Sequence, residues 1–292
     1  MEKINANVFL KVAETGSFRK AAEELGYTQA GISYIISSME EETGLSLFLR
    51  ERNGVKLSPE GKALLPHIKQ YEIWEFQLKQ AVNDLKGLNQ GTLRVLIFNS
   101  ISIHWIPDIL SRFLQDYPHI HVELITEENS ERAEQMVHSG EVDCGFFFTK
   151  VDTKMDLFQL KKEKLFAVVA PDHPLAELPR FPMKMLDQFP YIDMSYHAHS
   201  GIWNYFEEND VHPTARFTLD NDNAAMSMVS KGFGYAVFAE LILQDVPYDL
   251  RRMEFEKPAT RTISIGTRSI KTCSNACREF IRYTREWVKE HS

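Results

Sequence analysis

A single helical run between Ser58 and Gly91 constrains this chain more than any other feature. Ser58 is a good N-cap, and Pro59 suits the first helical position, where a missing N–H costs nothing. The run continues to about Leu88 and spans roughly 45 Å at the usual rise per residue. Leu64, Ile68, Tyr71, Leu78, Val82 and Leu85 fall along it on a four–three seam, interrupted by Glu75. A helix this long cannot bury its stripe against one small domain. It pairs with a second chain or packs within its own monomer. Trp74 and Phe76 read as lying off the seam, against a neighbouring domain. The run divides the chain into residues 1–58, a linker at 59–90, and an alternating strand–helix region at 91–292.

Residues 1–58 carry three short helical patterns. Ile4, Val8, Phe9 and Val12 recur at helical spacing, and Gly16 ends that pattern. Ser17 caps a second helix over Phe18–Leu25, and Gly26 suits the tight turn that follows. Thr28 caps a third helix from Gln29, with Ile32, Ile35, Ile36 and Met39 on one stripe. Ala30, Ser33, Tyr34 and Ser37 then share the opposite face. Two helices around a Gly-containing turn form a helix-turn-helix or an ordinary αα-hairpin. The next segment, FLRERNGVKL, holds Asn-Gly between apolar-alternating arms, a strong hairpin signal. Arg50, Arg52 and Lys56 surround its tip, placed for DNA phosphate or simply solvated. Seven basic residues face eight acidic ones in 1–58, within a chain of net charge −8. Non-specific attraction to DNA should therefore be modest.

These residues resemble the N-terminal signature of the LysR-type transcriptional regulators. GSF at 16–18, AA at 21–22, TQA at 28–30, IS at 32–33, Glu40, Gly44, LF at 47–48 and the SPEG helix start carry the likeness. APDHPLA at 170–176 extends it into the second domain. The resemblance implies a winged helix-turn-helix, a linker helix that pairs antiparallel with a second copy, and a two-lobed effector domain of periplasmic-binding-protein type. It also implies a homodimer or homotetramer on an inverted repeat of double-stranded promoter DNA, a small-molecule effector and an influence on RNA polymerase. Gln29 resembles the position that reads a base, with Ala30, Ser33, Tyr34 and Ser37 beside it. Tyr34, Ser37 and Ser38 stand where the family often has basic or Gln side chains. The likeness therefore carries the act of binding and not the operator sequence.

In the C-terminal region, strands are expected at Thr92–Phe98, His119–Ile125, Val142–Phe148, Leu165–Val169, Tyr191–Met194, Ala215–Leu219, Tyr235–Phe238 and Thr262–Thr267. Helices are expected from Asn99 to about Leu114, at Ser130–Ser139, after Ser200, at Asn223–Lys231 and from Ser274 to about Lys289. The fold class is α/β, with lobe I at 91–162 and 266–292 and lobe II at 163–265. Ligands bind where strands feed helices at the carboxyl edge of a parallel sheet. By position in the family pattern, Ser100, Ile101, Ser102, Glu127, Phe147 and Thr149 line the cleft from lobe I. His197, His199, Ser200 and Phe238 face them from lobe II. No arginine stands among these candidates, which favours a monoanionic, neutral or aromatic effector over a dicarboxylate.

Two histidines in each of His119–His121 and His197–His199 do not make a metal site. Cys273 and Cys277 lie four apart on a helix face, open to packing, metal or redox readings. No metal or cofactor is expected. No GxSxG, HExxH, P-loop or dinucleotide fingerprint supports an enzyme. A solute carrier or enzyme on the two-lobed domain is the alternative, but it gives the helix-turn-helix no role. The start of the chain does not read as a signal peptide and no apolar run spans a membrane, so the expected compartment is the cytoplasm.

Overall fold

The computed structural model describes residues 4–51, 54–85, 90–127, 129–148, 155–195 and 202–291. The chain forms two compact units, residues 1–82 and 83–292.

The first unit holds α1 (Ala6–Thr15), α2 (Phe18–Leu25), α3 (Gln29–Thr43), the hairpin β1 (Phe48–Glu51) and β2 (Gly54–Leu57), and the start of α4 (Pro59–Leu85). Local chemistry sets the helix ends. Asn5, Ser17 and Thr28 side chains accept from the backbone N–H groups of Val8, Lys20 and Gly31. Gly16, Gly26 and Gly44 close the three helices in the left-handed conformation. Phe9, Val12, Ala21, Ile32, Ile36, Met39 and Leu47 form the core, joined by Ile68 of α4. The hairpin rests on the α1–α2 turn, where Val55 N–H donates to the Gly16 carbonyl at 2.9 Å. Gly54 is required there, because a Cβ would overlap that carbonyl.

Along α4, Leu64 and Ile68 face the unit's own core. Tyr71, Leu78, Val82 and Leu85 are exposed. Trp74 corrects the sequence reading: it too is exposed, three residues after Tyr71 and four before Leu78, so it shares their face.

The second unit contains β3 (Gly91–Ile97), α5 (Asn99–His104), α6 (Ile106–Asp116), β4 (Ile120–Thr126), α7 (Ser130–Ser139), β5 (Cys144–Phe147) and β6 (Asp156–Val169). It continues with β7 (Tyr191–Met194), α8 (Ile202–Glu208), β8 (Ala215–Leu219), α9 (Asp222–Ser230), β9 (Ala236–Ala239), β10 (Arg251–Glu254), β11 (Thr260–Thr267) and α10 (Asn275–His291). Strands run in the order β10-β6-β11-β5-β3-β4, with β9 also on β6. β3 is parallel to β4 and β5, and β11 is antiparallel to β5 and β6.

β6 is the crossing element. Its first part, Asp156–Lys164, pairs with β11 in lobe I, and Leu165–Val169 pairs with β9 and β10 in lobe II. The sequence reading recognised only the apolar second part. Lys161, Lys162, Glu163 and Lys164 give the first part a polar character. β10 was missed too, because Met253 is its one buried residue. β11 is continuous from Thr260, so the expected lobe boundary at 265 cuts a single strand. The single helix expected after Asn99 is two, broken at Trp105. Pro107 explains the break, since it has no N–H to give to a preceding turn.

Lobe I packs Leu93, Val95, Trp105, Phe113, Phe146, Ile265 and Phe280 into one cluster. Lobe II packs Phe181, Tyr191, Phe206, Tyr235 and Phe255 into another. Phe113 is fully buried, with ring centroids of Tyr117, Phe280 and Tyr283 at 5.0–5.7 Å. Phe113→Ala should destabilise this unit by about 3–5 kcal/mol, read as a lowered urea midpoint of its unfolding transition.

Candidate DNA interface and effector cleft

The buried stripe of α3 aims its other face outward. Ile32, Ile36 and Met39 point into the core, while Gln29, Ala30, Tyr34 and Ser37 are exposed and Ser33 is half-buried. Tyr34 is 76% exposed. Glu40, lower on the same helix, holds the hairpin. Its Oε1 accepts from Leu47 N–H at 2.6 Å and Phe48 N–H at 3.1 Å, satisfying two donors where the chain leaves the helix. Ser58 Oγ donates to the Ser46 carbonyl at 2.6 Å and accepts from Gly61 N–H at 2.8 Å. Hairpin, reading helix and linker helix are thereby joined. On the hairpin, Arg50 is exposed opposite Val55. Lys56 is ion-paired with Glu51, which partly spends its charge within the hairpin. Arg52 lies outside the described residues.

Glu40→Ala should speed hydrogen exchange at the Leu47 and Phe48 amides, with a loss of about 1–3 kcal/mol of local stability. Glu40→Gln, which keeps an acceptor oxygen, should recover part of that protection.

The second site lies between the lobes of the 83–292 unit. A cavity of about 30 Å³ is lined by Phe98, Asn99, Ser100, Phe148 and Arg261 from lobe I. Ile202, Asp222, Phe238, Ala239 and Ile242 line it from lobe II. Of the expected cleft residues, Ser100 and Phe238 are there. Ile101 is instead fully buried in the lobe I core. Phe147 is buried on the opposite face, with Leu96, Met136 and Val137. Phe148, its neighbour, faces the cavity, since successive strand residues point to opposite sides. Ser102 Oγ donates to the Asn99 carbonyl within its own turn, at 2.7 Å. Glu127 Oε1 accepts from Asn129 N–H at 2.9 Å, holding the loop before α7. Thr149, His197, His199 and Ser200 lie outside the described residues.

The other eight lining residues were not expected from the sequence, and four of them are polar or stack on a polar group: Asn99, Phe148, Asp222 and Arg261. Asn99 Nδ2 donates to Asp222 Oδ2 at 3.1 Å, a bond from one lobe to the other. Arg261 Nε donates to Glu163 Oε1 at 2.6 Å. The guanidinium lies 3.6 Å from the Phe148 ring centroid, and Phe148 lies 4.1 Å from Phe98. Glu163 Oε2 accepts from Leu241 N–H at 3.0 Å. The expectation that no arginine lines the cleft is therefore corrected. β11 begins at Thr260, two residues before the strand that apolar patterning indicates, and this places Arg261 on a strand instead of in a loop.

The three cysteines are packed thiols. Hydrogen bonding to Cys144 pushes the buried Cys277 thiol well above its ordinary range, and burial adds to it. Hydrogen bonding to Cys277 raises Cys273 in the same way. The thiolate, the form that reacts and binds metals, is disfavoured at both.

With this geometry in place, the relatives are informative. Residues 5–62 match the bacterial regulatory helix-turn-helix proteins of the lysR family, and residues 86–289 match the LysR substrate binding domain. An uncharacterized HTH-type transcriptional regulator of Bacillus subtilis, YvbU, is 31% identical over 96% of each chain. A probable nitrogen assimilation transcriptional activator of Synechococcus elongatus is 28% identical over 95% of this chain and 92% of its own. Among solved structures, full-length CbnR with its target DNA superposes with a TM-score of 0.73 at 18% identity, covering 98% and 99% of the two chains. The effector binding domain of QuiR with shikimate superposes at 0.61 and 18%, over 69% of this chain and 99% of that one.

The chain belongs to the LysR family. It is a DNA-binding transcriptional regulator with an effector-binding domain, and not an enzyme. No helix among the described residues is long and apolar enough to cross a membrane.

Proposed function

We propose that this regulator acts in the cytoplasm as a homodimer or homotetramer on an inverted repeat, with a small effector in the cleft setting its geometry on DNA. The outward face of α3, with Tyr34 at its centre and its back anchored in the core, is the observation that carries the reading. That face enters the major groove, with Gln29, Ala30, Ser33, Tyr34 and Ser37 toward the bases. Arg50, Arg52 and Lys56 approach the backbone. The exposed Tyr71–Leu85 face of α4 supplies the contact between copies. Support comes from the CbnR fold, seen with its target DNA, and from the QuiR domain, seen with shikimate.

The cavity holds about one water in this arrangement. A metabolite therefore enters only when the lobes part, breaking or bending the Asn99–Asp222 bond. An effector acts by favouring one lobe arrangement over another, and its differential affinity is the only free energy available. That arrangement alters spacing between dimers, DNA bend and RNA polymerase recruitment.

Three measurements test the proposal. Tyr34→Ala should cut the ratio of specific to random-DNA affinity by about 1–3 kcal/mol. Arg50→Ala should weaken both classes of DNA alike and lower the salt slope by about one. Leu78→Lys combined with Leu85→Lys should shift the protein toward monomer in sedimentation velocity; a persistent dimer would move the interface off α4.

A further inference from the structure

The cleft contains a cation whose bonding is incomplete, and this bears on what the cleft binds. Arg261 has only 10% of its side chain exposed, and Glu163 only 1%. Nε takes the Glu163 carboxylate, and Phe148 fixes the plane of the guanidinium. Among the described residues, the two terminal nitrogens have no hydrogen-bond partner. These nitrogens are not sealed off, since the side chain keeps its 10% exposure, and they are open to an acceptor that enters the cavity. The geometry is specific. One side of the fork is held rigid, and the other presents the paired donors that match a carboxylate.

The surrounding charge narrows the class. Glu163 already balances Arg261, and Asp222 adds a buried carboxylate to the same lining. These surroundings are already net negative, so one ligand carboxylate can be offset by direct bonding to the fork while a second has no cation to meet it, and a dianion is disfavoured more than a monoanion. The remaining walls, Phe98, Phe148, Phe238 and Ile242, are apolar.

We propose that the effector is a small organic monocarboxylate with an apolar body, its carboxylate held by the terminal nitrogens of Arg261. This rests on the cleft being the effector site, as proposed above. Arg261 would then be a specificity-determining residue. Glu163 would be a positioning residue, aiming the fork and linking it through Leu241 to lobe II.

The test uses the full-length protein and defined probes in the millimolar range. Acetate, isovalerate, benzoate and phenylacetate are each titrated against their primary amides by calorimetry and thermal shift. Inorganic phosphate and succinate serve as dianion controls. At least one acid should bind saturably and roughly tenfold or more tighter than its amide, with phosphate and succinate silent. Arg261→Lys should reduce that preference. Arg261→Gln with Glu163→Gln should abolish it, and this double variant leaves no unpaired buried charge to unfold the lobe. Ser100→Trp, which fills the cavity, should remove binding of acid and amide together.

Equal affinity for acid and amide, lost in Ser100→Trp, would keep the cleft as the site and overturn the carboxylate assignment. Acid preference surviving in both Arg261 variants would do the same. Acid binding that survives Ser100→Trp would overturn the cleft reading itself. Saturable binding by none of the acids, or tighter binding of phosphate or succinate, would also sink the assignment.

Discussion

Strand β6 changes partners between Lys164 and Leu165, and both lobes are built on that exchange. Up to Lys164 its partner is β11, and from Leu165 on its partners are β9 and β10. Glu163 sits one residue before the switch and joins Arg261 on β11 to the Leu241 amide of lobe II. A buried ion pair of this kind contributes little net stability, because desolvation offsets attraction. Losing one member is expensive, however. The pair therefore specifies an arrangement more than it strengthens one. The Asn99–Asp222 bond also joins the lobes at the cavity lining, so lobe separation has two identifiable polar contacts to exchange.

The DNA-binding unit solves a different problem. Its near-neutral charge leaves little long-range attraction, so affinity must come from correct presentation of a few side chains. Presentation depends on Glu40 and Ser58, which tie hairpin and linker to α3, and on the glycines that let backbones approach. Part of the hairpin's charge is internally paired through Lys56 and Glu51. Duplication through the exposed face of α4 would then supply the remaining affinity by avidity.

Much of the architecture was readable from residue order. Caps, helix-ending glycines and apolar stripes in the first unit act within a few residues, so periodicity and capping chemistry report them directly. Buried strands such as Tyr191–Met194 were visible for the same reason. The polar part of β6 and all of β10 were not. Their residues are charged, and only pairing with neighbours distant in sequence makes them strands. Less of the cleft was legible. Ser100 and Phe238 follow from their position in the family pattern, but Phe147 and Phe148 differ only in which side of a strand they face.

Sequence alone determined the class of protein, the order of its parts and which face of α3 is turned outward, because local hydrogen bonding and apolar periodicity encode those. Tertiary structure decided the chemistry of the cleft. Arg261, Glu163 and Asp222 are far apart along the chain, and their meaning depends on a buried, low-dielectric space that exists only after two lobes close around it.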